Sequence, residues 1–206
     1  MSNFTYEEKN IKNKYETYEW DNTWLEHIND VDAKRVMYIG DSISCGIRRV
    51  ATAKTNNEIF FDGLGTSKAI DNFCFEETIK LFAKQEGYRN AILFNNGLHG
   101  WHLDEDSEYR FYFEKTIKFL KEEFKDTPIL ILLTTFIKDE SRLGRVIKRN
   151  EVVKEIADKY GLSIIDLYSV SKENADKMYD DGVHFKEEGC EILAEKIIEE
   201  IKNMSI

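Results

Sequence analysis

Thr127-Pro128-Ile129-Leu130-Ile131-Leu132-Leu133-Thr134 is the stretch that decides the fold class. From Ile129 to Leu133 the run is aliphatic with no polar alternate, and burial on both faces of a sheet is what such a run demands. Upstream, residues 107–124 carry Phe113, Ile117 and Leu120 at helical spacing. Before them Ala91-Ile92-Leu93-Phe94 reads as a short strand ending in Asn95-Asn96-Gly97-Leu98-His99-Gly100. Downstream, residues 145–160 read as a helix stopped by Gly161, 162–167 as a strand and 187–202 as a closing helix.

Nearer the N-terminus, Ile59-Phe60-Phe61 is a strand closed by the turn-rich residues 62–67, and a helix follows over about 73–85 with Gly87 as its stop. Arg35-Val36-Met37-Tyr38-Ile39 is the first strand, feeding the turn Gly40-Asp41-Ser42. Strands alternating with helices imply right-handed β-α-β units. The expected fold is α/β, a three-layer α/β/α sandwich around a five-stranded parallel sheet. Residues 1–30 mix charge with Phe4, Tyr6, Tyr15, Tyr18, Trp20 and Trp24, and read as an extension packed on a domain spanning 31–206.

At 206 residues the chain fits one compact domain. Its net charge of -10 argues against a nucleic-acid partner, since phosphate backbones reward a basic face. Arg142, Arg145, Lys148 and Arg149 form a local basic patch, read here as a solvated helix face. Cys45, Cys74 and Cys190 are odd in number and widely spaced, which suits reduced thiols rather than disulfides or a zinc site. Cys45 is three residues beyond Ser42 and reads as a helix-face thiol. The N-terminus is polar where a secretory signal needs an apolar core, and no apolar run approaches about 18 residues. A cytoplasmic protein with no membrane partner is expected.

Ligands of open α/β sheets sit beyond the carboxyl ends of the strands, so the polar segments that follow strands carry the chemistry. A serine hydroxyl attacks only when a base takes its proton, and the base needs a third group to fix its tautomer. Ser42 sits at a strand-to-helix turn, where its own N–H can face a developing oxyanion. Asp181 and His184 lie three apart across a Gly-containing turn, so one loop can deliver base and carboxylate; Asp180 is the stand-in, while Asp166 lies at the wrong offset.

Residues 36–43, Val-Met-Tyr-Ile-Gly-Asp-Ser-Ile, resemble the first signature block of the SGNH hydrolases, the GDSL-like esterases and lipases. Asp180-Asp181-Gly182-Val183-His184-Phe185 resembles their last block, and residues 94–103 are similar to the third block of one branch. The resemblance covers roughly residues 35–201. It implies a flavodoxin-like sheet and ester hydrolysis through an acyl-enzyme, with Ser42, Asp181 and His184 as catalytic triad and no metal or organic cofactor. It further implies an oxyanion hole made by the Ser42 N–H, a block-two N–H and a block-three asparagine. Alignment puts Ser67 at the block-two position with Gly65 as its neighbour, and leaves Asn95 and Asn96 both open as the amide donor.

A small-molecule ester is the expected partner. The polar rim of Asn95, Asn96, His99, Trp101 and His102 points to a small acyl group on a sugar-like alcohol, with His99, Trp101 and His102 binding substrate; for Trp101 the alternative is that it only packs its loop. Two other function classes stay open: a metal-dependent hydrolase using His99 and His102 with Asp104 and Asp106 nearby, and a non-catalytic binding module on the same fold.

Overall fold

The computed structural model describes residues 15–204 apart from Thr17 and Asp104; Phe4 and Tyr6 of the extension lie outside the described residues. The strands are β1 (Asp21–Trp24), β2 (Lys34–Gly40), β3 (Ile59–Thr66), β4 (Ala91–Phe94), β5 (Ile129–Leu132) and β6 (Ser163–Ile165). They form one sheet in the order β1-β3-β2-β4-β5-β6. The five from β2 to β6 run parallel, as the apolar runs require. Helices α1 (Ser42–Lys54), α2 (Phe75–Glu86), α3 (Asp106–Glu123), α4 (Glu140–Tyr160), α5 (Leu167–Glu173) and α6 (Glu187–Asn203) complete the α/β/α sandwich. No helix among the described residues is long and apolar enough to cross a membrane.

Burial on both sheet faces is visible residue by residue along β2. Val36 and Tyr38 point into a core shared with Ile47 of α1 and with Leu193 and Ile197 of α6. Met37 and Ile39 point the other way, onto Phe82 of α2, Phe113 of α3 and Val153 of α4. Period-two alternation thus feeds two cores, one on each side of the sheet.

The sheet has a sixth strand that the sequence reading left inside the extension. Asp21–Trp24 pairs antiparallel with residues 63–66, and all four of its residues are exposed. Such a short polar edge strand carries no periodicity by which to find it. Its presence also alters β3, which continues through Thr66 where a turn was expected over 62–67. The glycines there serve packing: a Cβ on Gly63 would meet Arg48 Cδ at 2.3 Å, and one on Gly65 would meet Cys45 Sγ at 2.3 Å. They let α1 lie close against β3. Helix α4 begins five residues earlier than the expected 145, capped by Asp139, whose side chain accepts from the Ser141 N–H.

A buried ion pair ties the extension to the sheet. Arg35 Nη1 donates to Asp62 Oδ2 at 2.6 Å and to the Glu26 carbonyl at 2.9 Å, and Glu26 N–H donates to Asp62 Oδ1 at 3.0 Å. Their side chains are 4% and 0% exposed. Removing one member of such a pair strands the other charge, at a cost of about 3–5 kcal/mol, whereas replacing both with apolar residues is often neutral. Arg35→Met is therefore expected to lower the urea-unfolding free energy by about that amount, and Arg35→Met/Asp62→Leu to recover most of it; a loss below about 1 kcal/mol in the single variant would contradict this reading.

Candidate active site

The carboxyl ends of β3, β2 and β4 lie side by side, with Gly40 opposite Gly65 and Ile39 opposite Phe94. At the end of β2 the chain turns directly into α1. Asp41 is the helix cap, its Oδ1 accepting the Ile43 N–H at 2.9 Å, and Ser42 is the first helical residue. A first-turn N–H has no intrahelical acceptor, so the Ser42 amide presents a positive dipole end beside its own hydroxyl.

The loop ahead of α6 is folded back on itself. Tyr179 N–H donates to the His184 carbonyl at 2.8 Å, and Met178 bridges to Phe185. Gly182 takes a left-handed φ of 69°, and its carbonyl accepts the Lys138 N–H at 2.8 Å. Asp181 Oδ1 accepts the N–H groups of Val183 at 2.8 Å and His184 at 2.9 Å, while Oδ2 accepts His184 Nδ1–H at 2.8 Å. With its Nδ1 proton so engaged, His184 Nε2 is left as an acceptor and takes the Ser42 hydroxyl at 2.8 Å. Burial alone would raise the Asp181 carboxyl, but the two N–H donors and the His184 ring outweigh it and hold the group below the usual carboxylate range.

The structure thus brings Ser42, His184 and Asp181 into one hydrogen-bonded chain. Asp166 is instead the cap of α5, accepting from Ser169 N–H at 2.9 Å, and Asp180 is exposed. Cys45 packs over Gly65, and burial pushes its thiol up, away from a nucleophilic thiolate.

The oxyanion-hole candidates sort unequally. Ser67 needs correcting as a donor: its N–H goes to the Trp20 carbonyl at 3.1 Å, its hydroxyl donates to Glu19 Oε2 at 3.0 Å and accepts Trp20 N–H at 2.8 Å. The extension has taken up its hydrogen bonds. Gly65 provides clearance under α1, since a Cβ there would also lie 3.1 Å from the Asp41 carbonyl. Both amide protons of Asn95 are spent towards β5, on the Leu132 carbonyl at 2.8 Å and Thr134 Oγ1 at 3.1 Å. Asn96 spends one, on the Lys68 carbonyl at 2.9 Å, and has a second to give.

His99 and His102 do not converge. His99 Nδ1 pairs with Glu16 Oε1, and His102 Nε2 lies 3.0 Å from both carboxylate oxygens of Asp71. No group of three His, Cys, Asp or Glu side chains arranged for a metal occurs among the described residues, and Asp104 lies outside them. Trp101 is a core residue, 7% exposed, with the guanidinium groups of Arg142, Arg145 and Arg149 5.5, 5.4 and 5.0 Å from its ring. Of the two readings offered for it, packing describes its surroundings.

Arg149 is the second correction. It is not part of a solvated face: it is 2% exposed, and its Nη1 donates to the carbonyls of Gly97 at 2.9 Å and His99 at 2.7 Å, its Nη2 to Gly100 at 2.7 Å. It therefore clamps the loop that carries Asn96, whose carbonyl also accepts Tyr109 Oη–H at 2.6 Å. The signal was present in the spacing, because Arg149 shares a helical stripe with the buried Val146 and Val153.

No protein-family model matches the chain. The fold is that of the SGNH hydrolases, the GDSL-like lipases and acylhydrolases that the sequence blocks resembled. Among solved structures it superposes on a lipase/acylhydrolase from Enterococcus faecalis with a TM-score of 0.64, at 18% identity over 83% of this chain and 96% of that one. It also superposes on the C-terminal catalytic domain of peptidoglycan O-acetyltransferase A from Streptococcus pneumoniae with a TM-score of 0.65, at 18% identity over 84% and 95% of the two chains. In sequence it is 26% identical over 221 aligned positions to an acetylxylan esterase from Xylanibacter ruminicola, covering 87% of this chain and 46% of that protein. The chain thus spans about half the length of that relative.

The clamp has a measurable consequence. Hydrogen bonds to a charged donor contribute about 1.5–3 kcal/mol each, and Arg149→Met removes three of them, the Gly100 carbonyl keeping only the Leu103 N–H at 3.1 Å. Thermal or urea unfolding is expected to show a loss of at least about 3 kcal/mol; near-wild-type stability would mean that the loop holds its shape unaided.

Proposed function

We propose that the chain is a serine esterase that removes a small acyl group, acetyl above all, from a carbohydrate-like alcohol through an acyl-enzyme intermediate. The observation that carries this reading is the unbroken relay from Ser42 Oγ to His184 Nε2 at 2.8 Å and from His184 Nδ1 to Asp181 Oδ2 at 2.8 Å. The acetylxylan esterase relative supports the choice of acyl group and alcohol.

In the reaction, His184 Nε2 takes the Ser42 proton as Oγ bonds to the ester carbonyl carbon. The carbonyl oxygen gains negative charge and is met by the Ser42 N–H and the spare Asn96 amide proton, each such donor being worth about 2.7–4 kcal/mol. His184 then gives the proton to the departing alcohol oxygen, and the C–O bond breaks to leave Ser42 acylated. Water, deprotonated by His184, repeats the sequence to release the acid and restore Ser42. Asp181 keeps the imidazole in the Nδ1–H form and stabilises the cation formed in each half. None of these steps calls on a metal or organic cofactor. The three cysteines are unpaired, which supports a reducing, cytoplasmic setting.

Ser42→Ala is expected to lower kcat on p-nitrophenyl acetate by about 10⁴–10⁶-fold, and Asp181→Asn by about 10⁴-fold; retention of a tenth of the activity in either would refute the assignment. Because Asp181 is held below the usual carboxylate range, it stays ionised at pH values where an ordinary aspartate begins to protonate. The kcat/KM profile is therefore expected to show no additional carboxylate-dependent loss over the usual carboxylate range, and a two-proton slope there would mean that Asp181 is not held down.

A further inference from the structure

We propose that the segment around Glu16, Glu19 and Trp20 ahead of β1 is part of the active site, and that Glu16, by holding His99, positions the wall that limits the acyl group to about the size of acetate. The inference rests on the esterase reading above and adds a specificity-determining residue to it.

The argument begins with strand order. β2, which delivers Ser42, lies between β3 and β4. The segment ahead of β1 is bonded to the ends of both neighbours. On the β3 side, the Trp20 carbonyl accepts the Ser67 N–H at 3.1 Å and the Thr66 hydroxyl at 3.2 Å, and Glu19 accepts the Ser67 hydroxyl at 3.0 Å. On the β4 side, Glu16 pairs with His99, and the Trp20 ring stands edge-on to the His99 ring at 6.2 Å. A chain anchored at both places crosses the carboxyl end of β2, beside Asp41. Two facts agree with that path: Asp41 is 3% exposed, and the side chains of the Glu16–His99 pair are only 7% and 8% exposed.

Stereochemistry says which part of a substrate meets this wall. The tetrahedral carbon on Ser42 carries an oxyanion, a leaving oxygen and the acyl remainder. The leaving oxygen must face His184 Nε2 to be protonated, and the oxyanion must face the Ser42 and Asn96 donors. The acyl remainder takes the last corner, away from His184, where Asp41 flanks Ser42 and the Glu16–His99 pair lies across the strand end. Glu16 Oε2 and Asp41 Oδ2 are both buried without a hydrogen-bond partner among the described residues. Burial raises both carboxyls. This wall is buried, so a longer acyl chain would have to displace it.

Glu16 acts through His99 and is a positioning residue, so the readout is selectivity and not loss of activity alone. The full-length wild type, Glu16→Ala and Trp20→Leu would be compared for kcat/KM on p-nitrophenyl acetate, butyrate and hexanoate, with thermal unfolding as the check on folding. One methylene in a fitted pocket typically changes kcat/KM by about 10–200-fold, and the hexanoate-to-acetate ratio is expected to rise by at least about tenfold in Glu16→Ala. Trp20→Leu keeps the backbone anchor to β3 but removes the ring that stands edge-on to His99, so it should raise the ratio in the same direction and carries the test if Glu16→Ala does not fold. Folded variants that keep the wild-type ratio would overturn the proposal. Labelling by an organophosphonate separates the two levels: a wild type that is never phosphonylated on Ser42 overturns the esterase reading itself, whereas a labelled wild type with unchanged variant ratios overturns only the role of Glu16.

Discussion

The hydrogen bond between Ser42 Oγ and His184 Nε2 joins positions 142 residues apart, and the rest of the architecture keeps it short. Ser42 opens α1, and His184 lies three residues ahead of α6. Those two helices pack directly on each other in one core, where Ile47 and Ala51 share a cluster with Leu193, Ala194 and Ile197. Gly46 comes so near Cys190 that an added Cβ would lie 3.0 Å from its sulfur. Helix packing thus brings both functional ends to the carboxyl end of the sheet's strands, and the self-bonded loop around Asp181 sets the imidazole's orientation. Groups carried on rigid elements need little reorganisation before reaction.

The opposite side of the site is held by a different device. Residues 97–100 have no regular structure, and the carbonyls of Gly97, His99 and Gly100 accept from the guanidinium of Arg149, which is buried against Trp101 and Tyr109. A buried cation is costly unless it is hydrogen-bonded, and here the loop supplies three acceptors to the two Nη atoms. Each requires the other: the loop gains a defined shape and the arginine gains partners. That shape fixes where Asn96 stands, while the segment around Glu16 and Trp20 borders the same loop from the N-terminal side.

The parallel sheet was legible because five strands carry near-continuous apolar runs, and the Ser42, Asp181 and His184 neighbourhood because one motif follows the first parallel strand, the other precedes the final helix, and together they resemble the first and last SGNH blocks. What escaped the reading was set by long-range pairing. β1 is four exposed residues whose identity as a strand depends wholly on β3. The N–H of Ser67 looked like a donor to an oxyanion, but Trp20 claims it from 47 residues away. Arg149 was read as surface because arginine usually is, although its helical register with Val146 and Val153 placed it inward. Asn95 and Asn96 are adjacent and chemically identical, so only the acceptors around each one distinguish them.

The central claim is that His184 is held as a base by Asp181 and aimed at Ser42. Nitrogen-15 NMR of the histidine side chains tests it most directly, because the two ring nitrogens report separately. The account requires the neutral His184 ring to carry its proton on Nδ1, with a low-field Nδ1 proton signal that disappears in Asp181→Ala. A neutral ring protonated on Nε2, or an Nδ1 signal indifferent to loss of Asp181, would contradict it.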